Sequence, residues 1–287
     1  MLWRIAPIAG LAAGLAAGLT WAGLAWSGPP GAGRALAPAC SAHSGARTTA
    51  LVELYTSEGC DSCPPADRWL SGLRARGFGA ERVVPLSLHV DYWDYIGWKD
   101  PYAKREFATR QRKHAQMKRA RIVYTPQVLL QGEDYRGWSG PGFEQDVARI
   151  NARPPRARLR LEIDATGTTS MDVLLGAELL DASERSDAAV YLASYENKLV
   201  SAVAAGENRG RSLAHDFVVR EWIGPLAFGP GLDLVHRRSL PLLPGADPRQ
   251  SGVAAFVQNR ASGEVLQALM LPPCSGRGAG PTRGPAG

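Results

Sequence analysis

Seven consecutive residues, Gly59-Cys60-Asp61-Ser62-Cys63-Pro64-Pro65, constrain this chain most. They follow an apolar run, Leu51-Val52-Glu53-Leu54-Tyr55, that reads as a strand, and they open a segment with helical spacing. Two adjacent prolines are tolerated only in a helix's first turn, where the missing N–H groups would have no intrahelical acceptor. Ala66, Trp69, Leu70 and Leu73 then recur at i, i+3, i+4 and i+7, with Gly77 as the C-cap. The helix therefore starts at the cysteines, and its free N–H groups and dipole favour a thiolate there.

A Cys-x-x-Cys pair is also half of many zinc sites, but zinc needs a second pair or a Cys/His set at similar spacing. The only other cysteines, Cys40 and Cys274, are far away. With a strand before and a helix after, the pair reads as a thioredoxin-like redox motif.

Three further segments carry a family resemblance. Val52-Glu53-Leu54-Tyr55-Thr56-Ser57-Glu58-Gly59-Cys60 with Cys63-Pro64-Pro65-Ala66-Asp67, then His89-Val90-Asp91-Tyr92-Trp93-Asp94, then Tyr124-Thr125-Pro126-Gln127 resemble a secreted bacterial family, domain of unknown function 1223. The resemblance runs from about residue 48 to about residue 273. It implies a thioredoxin-like fold and a cis proline facing the disulfide at Thr125-Pro126; that expectation rests on the resemblance and not on the dipeptide, because only about 5–6% of X–Pro bonds are cis.

The first residues, Met1-Leu2-Trp3-Arg4, are followed by an uncharged stretch from Ile5 to Trp26. This reads as an export signal, and if left uncleaved it is long enough to anchor the chain in a membrane. Ala35-Leu36-Ala37 is a late small-residue cleavage site, and Pro38-Ala39 before Cys40 fit a lipid-attachment box poorly. Export to the periplasm or medium means an oxidising compartment. Cys40 and Cys274 each flank the expected ordered core and have no other partner once Cys60 and Cys63 pair, so we expect a structural disulfide between them. Free or lipid-modified thiols are the alternative.

Arg82 to Val90 has the alternation of a strand, with Pro85 arguing for an irregular or partly exposed start. In a thioredoxin-like sheet it lies parallel to the strand before Cys60, which brings the loop Asp91-Tyr92-Trp93-Asp94-Tyr95-Ile96-Gly97-Trp98 to the cysteines. We expect Asp91, Trp93 and Thr125 to contact substrate, unless the aromatic rings merely cover the sheet end. His89 reads first as a core histidine, and second as a proton shuttle paired with Asp91. Lys104 to Arg121 carries eight Lys/Arg against one acid, Glu106, in a chain of net charge +6. It reads as a solvated helix anchored by Phe107, Ala115 and Met117, the other reading being a surface for an acidic partner.

Phe143, Val147 and Ile150 mark a last helix before Arg153-Pro154-Pro155. Beyond it come short alternating runs separated by Gly, Asn, Asp and Pro, which argue a β-sandwich. Ala205 to Gly210 reads as a long turn, His215-Asp216 and His236 as surface or sheet residues, and this half shows no catalytic constellation.

The expected fold class is α+β: a thioredoxin-like α/β domain over 48–153, then an all-β sandwich-like domain over 156–274. An export signal and linker occupy 1–37, and a disordered tail 275–287. At 287 residues, 45% of them hydrophobic, the chain can bury a core in each part. The expected function is thiol–disulfide exchange through the catalytic residues Cys60, Cys63 and Pro126. The partner is then a protein thiol or disulfide, with no cofactor, no metal and no nucleic acid. The alternative is a non-enzymatic binding protein in which Cys60 and Cys63 form a static disulfide, or a soft-metal site for copper or zinc with His89 as third ligand.

Overall fold

A computed structural model describes residues 40–167 and 169–274. The segments read as an export signal and linker (1–37) and as a disordered tail (275–287) lie outside the described residues. Strand β1 spans Cys40–His43, β2 Ala50–Thr56, β3 Val83–His89, β4 Gln127–Leu130 and β5 Glu133–Asp134. Helices α1 (Pro64–Ser71), α2 (Arg105–Met117) and α3 (Phe143–Asn151) are interleaved with them. Strands β6 (Ala157–Thr166), β7 (Ser170–Leu179), β8 (Ala188–Glu196), β9 (Leu199–Ala202) and β10 (Ser212–His215) follow. The chain closes with β11 (Val218–Ala227), β12 (Asp233–Pro241), β13 (Ser251–Asn259) and β14 (Val265–Leu271).

Eight strands form one mixed sheet in the order β14-β13-β8-β11-β3-β2-β4-β5, and a four-stranded sheet runs β1-β6-β7-β12. Within the first, β2 and β3 are parallel, from Ala50 beside Val83 to Thr56 beside His89, while β4 runs antiparallel to β2. That is a thioredoxin-like mixed sheet with helices, followed by a larger sandwich-like β region. The two are continuous: β11 joins β3 in parallel, with Val218 beside Ser87.

The period of two along the shared strands builds two cores. Ala189, Tyr191, Ala193 and Tyr195 of β8, with Ala254 and Phe256 of β13, face the helices. The intervening Ala188, Val190 and Leu192, with Val253, Ala255 and Val257, face the four-stranded sheet. Alternating side chains of a strand point to opposite faces, so each of these strands supplies both cores.

Pro85 departs from expectation. It lies buried in the middle of β3, beside Val52. β11 pairs with β3 only at Ser87, so the Pro85 level of that edge needs no ladder donor. In the basic segment Phe107 and Ala115 are buried as expected, but Arg110 points inward. Its guanidinium meets Glu53 at 2.7 Å and lies over the rings of Tyr191, Trp222 and Phe256. Burial opposes the Arg110 charge, and the Glu53 carboxylate outweighs it, so the pKa is raised.

Cys40 and Cys274 form a disulfide with Cα atoms 6.1 Å apart. It joins the ends of the described chain, beside β1 and just past β14.

Candidate functional site

The parallel register places the ends of β2 and β3 side by side, and the chain leaves β2 through Ser57, Glu58 and Gly59 into the cysteines. Gly59 lets the passage run close to the aromatic loop: a Cβ there would stand 3.0 Å from Trp93 Cβ and 3.4 Å from Ile96 Cδ1. Cys63 is the N-cap of α1, its carbonyl accepting from the N–H groups of Ala66 (2.9 Å) and Asp67 (3.1 Å). Cys60 and Cys63 are joined as a disulfide, Cα atoms 5.5 Å apart. The Ser62 hydroxyl donates to the Cys60 sulfur at 3.4 Å.

Both cysteines are 0% exposed. Helix geometry predicts an exposed Cys60 over a buried Cys63, and that expectation fails for Cys60, whose backbone is held by a distant turn. Asn208, also 0% exposed, donates from Nδ2 to the carbonyls of Glu58 (2.8 Å) and Cys60 (2.9 Å). Glu207 Oε2 accepts from the Asp61 N–H at 3.0 Å.

Behind the disulfide lies a buried polar network. Glu58 Oε2 accepts from the Trp98 indole (2.8 Å), Glu58 Oε1 meets His215 Nε2 (3.1 Å), and the Glu58 N–H donates to Asp100 Oδ2 (2.9 Å). Asp100 Oδ2 also lies 2.7 Å from His89 Nδ1. Asp67, one turn into α1, accepts from the Thr56 hydroxyl at 3.2 Å. Its other oxygen, His89 Nε2 and His215 Nδ1 have no hydrogen-bond partner among the described residues. Burial pushes the Asp67 carboxyl up, against the pull of His215 and His89. His89 is raised because Asp100 beside it outweighs the burial that would lower it. Asp100 is correspondingly lowered, His89 outweighing its own burial.

His89 is thus the expected core histidine, but its carboxylate partner is Asp100, not Asp91. His215 is a sheet residue, one of the two readings made of it, and is buried at the end of β10; the C-terminal half, expected to show no catalytic constellation, does contribute to the site through Glu207, Asn208 and His215. His236 is half-buried in β12, a sheet residue as read. Asp91 opens the turn after β3, half-buried. Trp93 donates its indole N–H to Thr125 Oγ1 at 2.7 Å, and the Thr125–Pro126 bond is cis. Of the aromatic loop, Tyr92, Trp93 and Trp98 are hydrogen-bonded inward, whereas Tyr95 is 83% exposed. Among the described residues, no group of three or more His, Cys, Asp or Glu side chains is arranged to hold a metal ion.

The mixed sheet, the strand–disulfide–helix passage and the cis proline define a thioredoxin-like protein with a redox-capable Cys-x-x-Cys pair. Two disulfides from four cysteines are the usage of an exported chain, periplasmic or secreted. The chain belongs to the family described as protein of unknown function DUF1223, whose model matches residues 51–258. It is similar to the crystal structure of protein AGR_C_4864 from Agrobacterium tumefaciens, with 26% identity and a TM-score of 0.58, covering 79% of this chain and 95% of that one. It shares its fold with HBP35 of Porphyromonas gingivalis at 14% identity and a TM-score of 0.61, over 85% of this chain and 81% of that one. No curated protein matches the chain.

Proposed function

We infer that this protein performs thiol–disulfide exchange with protein partners outside the cytoplasm through Cys60 and Cys63. The observation that carries the reading is the disulfide itself, set at the junction of β2 and α1, with a buried network of carboxylates and histidines built on Glu58, two residues before Cys60. In exchange, a partner thiolate attacks the Cys60 sulfur, the Cys60–Cys63 bond breaks, and Cys63 leaves as a thiolate that takes up a proton. A second partner thiol then displaces Cys60, leaving the partner oxidised and the pair reduced by two electrons and two protons. The reverse sequence reduces a partner disulfide. Pro126, Thr125, Trp93 and Asp91 form the wall along which the partner chain lies, Trp93 linking Thr125 to the glycine before Cys60.

Cys63→Ser tests this, since it removes the thiol that resolves the mixed disulfide. The exported variant should accumulate mixed disulfides with partner proteins, separable by non-reducing electrophoresis, and Cys60→Ser should not. If neither variant traps a partner, the exchange reading falls.

The burial of both cysteines favours one other reading, a static disulfide in a binding protein. Equilibration against a glutathione series separates the two. A pair that exchanges titrates between dithiol and disulfide, and a static one stays oxidised throughout.

A further inference from the structure

The segment covering the disulfide is built as a separate piece. Strands β9 and β10 pair only with each other and join neither large sheet. Their connection, residues 203–211, is braced from within: the Val203 N–H donates to Arg211 O at 2.9 Å, the Gly210 N–H to Val203 O at 2.8 Å, and Arg211 Nη1 to Asn208 Oδ1 at 2.9 Å. The base of the hairpin is pinned by His215 to Glu58 and by Ser201 to the Tyr102 hydroxyl at 3.0 Å. Among the described residues its tip is held beside Cys60 by the hydrogen bonds of Asn208 and Glu207 and by Ala205 and Gly206 lying close to Gly97, Ile96 and Trp98.

We propose that the 203–211 turn is a gate over the Cys60–Cys63 disulfide and that Asn208 is its latch. The gate regulates the exchange inferred above and rests on that reading. Closed, it leaves no exposed surface on either cysteine for a nucleophile to reach. Opening breaks the contacts of one side-chain amide and one carboxylate while the pinned base and both sheets stay intact, so it is a local fluctuation and not an unfolding event. It frees the carbonyls of Glu58 and Cys60, buried acceptors that then take hydrogen bonds from water or from the backbone of an arriving partner. A partner that supplies those donors holds the gate open while its thiol attacks Cys60.

The test is native-state reduction of the full chain by dithiothreitol, followed by thiol alkylation and mass measurement. One dithiothreitol thiolate attacks Cys60, Cys63 departs and is protonated, and the second thiol closes the cyclic disulfide of the reagent as Cys60 is released. Asn208→Ala should be reduced about tenfold faster than wild type, the scale of losing one buried hydrogen-bonding group. Asn151→Ala is the matched control. Asn151 also clamps two carbonyls from Nδ2, those of Thr48 (2.9 Å) and Arg82 (3.0 Å), at the other end of β2. It should be reduced at the wild-type rate. Should Asn208→Ala not fold, Glu207→Ala, at an exposed position, should still speed reduction severalfold. A wild-type rate in the latch variants, or equal acceleration in Asn151→Ala, overturns the gate. Failure of the exchange reading appears separately, as absence of trapped partners in Cys63→Ser whatever the reduction rates.

Discussion

His215 Nε2 lies 3.1 Å from Glu58 Oε1, a contact that ties the last residue of β10 to the passage leading into Cys60 across 157 positions of the chain. Both side chains are buried, and Glu58 spends its other oxygen on the Trp98 indole. His215→Phe keeps an aromatic ring at the position but leaves Glu58 Oε1 without its partner. The expected cost is about 1–3 kcal/mol of stability, read as a lower urea midpoint at unchanged slope. An unchanged midpoint would show that the contact contributes nothing.

The His89–Asp100 pair sets a pH window. His89 is raised above 6.5, so its contribution is complete below that value and is lost as pH climbs through the folded pKa. Asp100 is depressed below 3.8, so its share is complete above that value and is lost as pH falls through the folded pKa. Both contributions are complete between 3.8 and 6.5. Asp67, pushed up by burial, also favours the acid side and remains in any Asp100 variant. Asp100→Asn should therefore flatten the fall in unfolding free energy between about pH 5 and about pH 9. Urea melts at the two ends decide it, an identical slope in both proteins being the adverse result.

Glu53 and Arg110 are coupled more tightly. Arg110→Met strands the Glu53 carboxylate inside the core and should cost about 3–5 kcal/mol. Glu53→Gln combined with Arg110→Met should recover much of the loss, because no unpaired charge remains. A double variant as unstable as the single one would locate the energy in the aromatic rings around Arg110 and not in the pair.

Cys40–Cys274 closes a loop with a sequence separation of 234. In the chain-entropy model its removal by Cys40→Ser with Cys274→Ser lowers stability by about 5 kcal/mol. Non-reducing peptide mapping of the wild type should yield the linked pair, and the double variant should unfold at a lower denaturant concentration. Equal midpoints would make the bond dispensable.

Much of this was legible from short-range pattern. Pro64 and Pro65 mark the start of α1, Phe143, Val147 and Ile150 mark α3, and the alternation along β8 and β13 is the alternation of a sandwich. The Cys-x-x-Cys half of the site is contiguous, so it could be read directly. What escaped is the half supplied from afar. Gly206-Glu207-Asn208 has the composition of any turn, because Asn and Gly suit left-handed backbone whether or not the Asn side chain then clamps a distant carbonyl. Ser212 to His215 shows a burial alternation of only four residues, too short to reveal that its last member faces a buried glutamate. Asp100 lost out to Asp91 as the partner of His89 because nearness in sequence was the only guide before the turn between them was known.

The parallel seam between β3 and β11 carries a consequence for how the molecule is made. Ser87 pairs with Val218, so the thioredoxin-like sheet cannot be completed until a strand synthesised 131 positions later arrives. During N-terminal-first emergence β3 stands as an unguarded edge, open to wrong pairing. Secretion in a loose, unfolded form followed by assembly of the whole sheet at once avoids that exposure, and such long-range pairing makes for slow folding. Cys60 and Cys63 precede the 203–211 turn in the chain, so they lie open to an oxidant until that turn is in place.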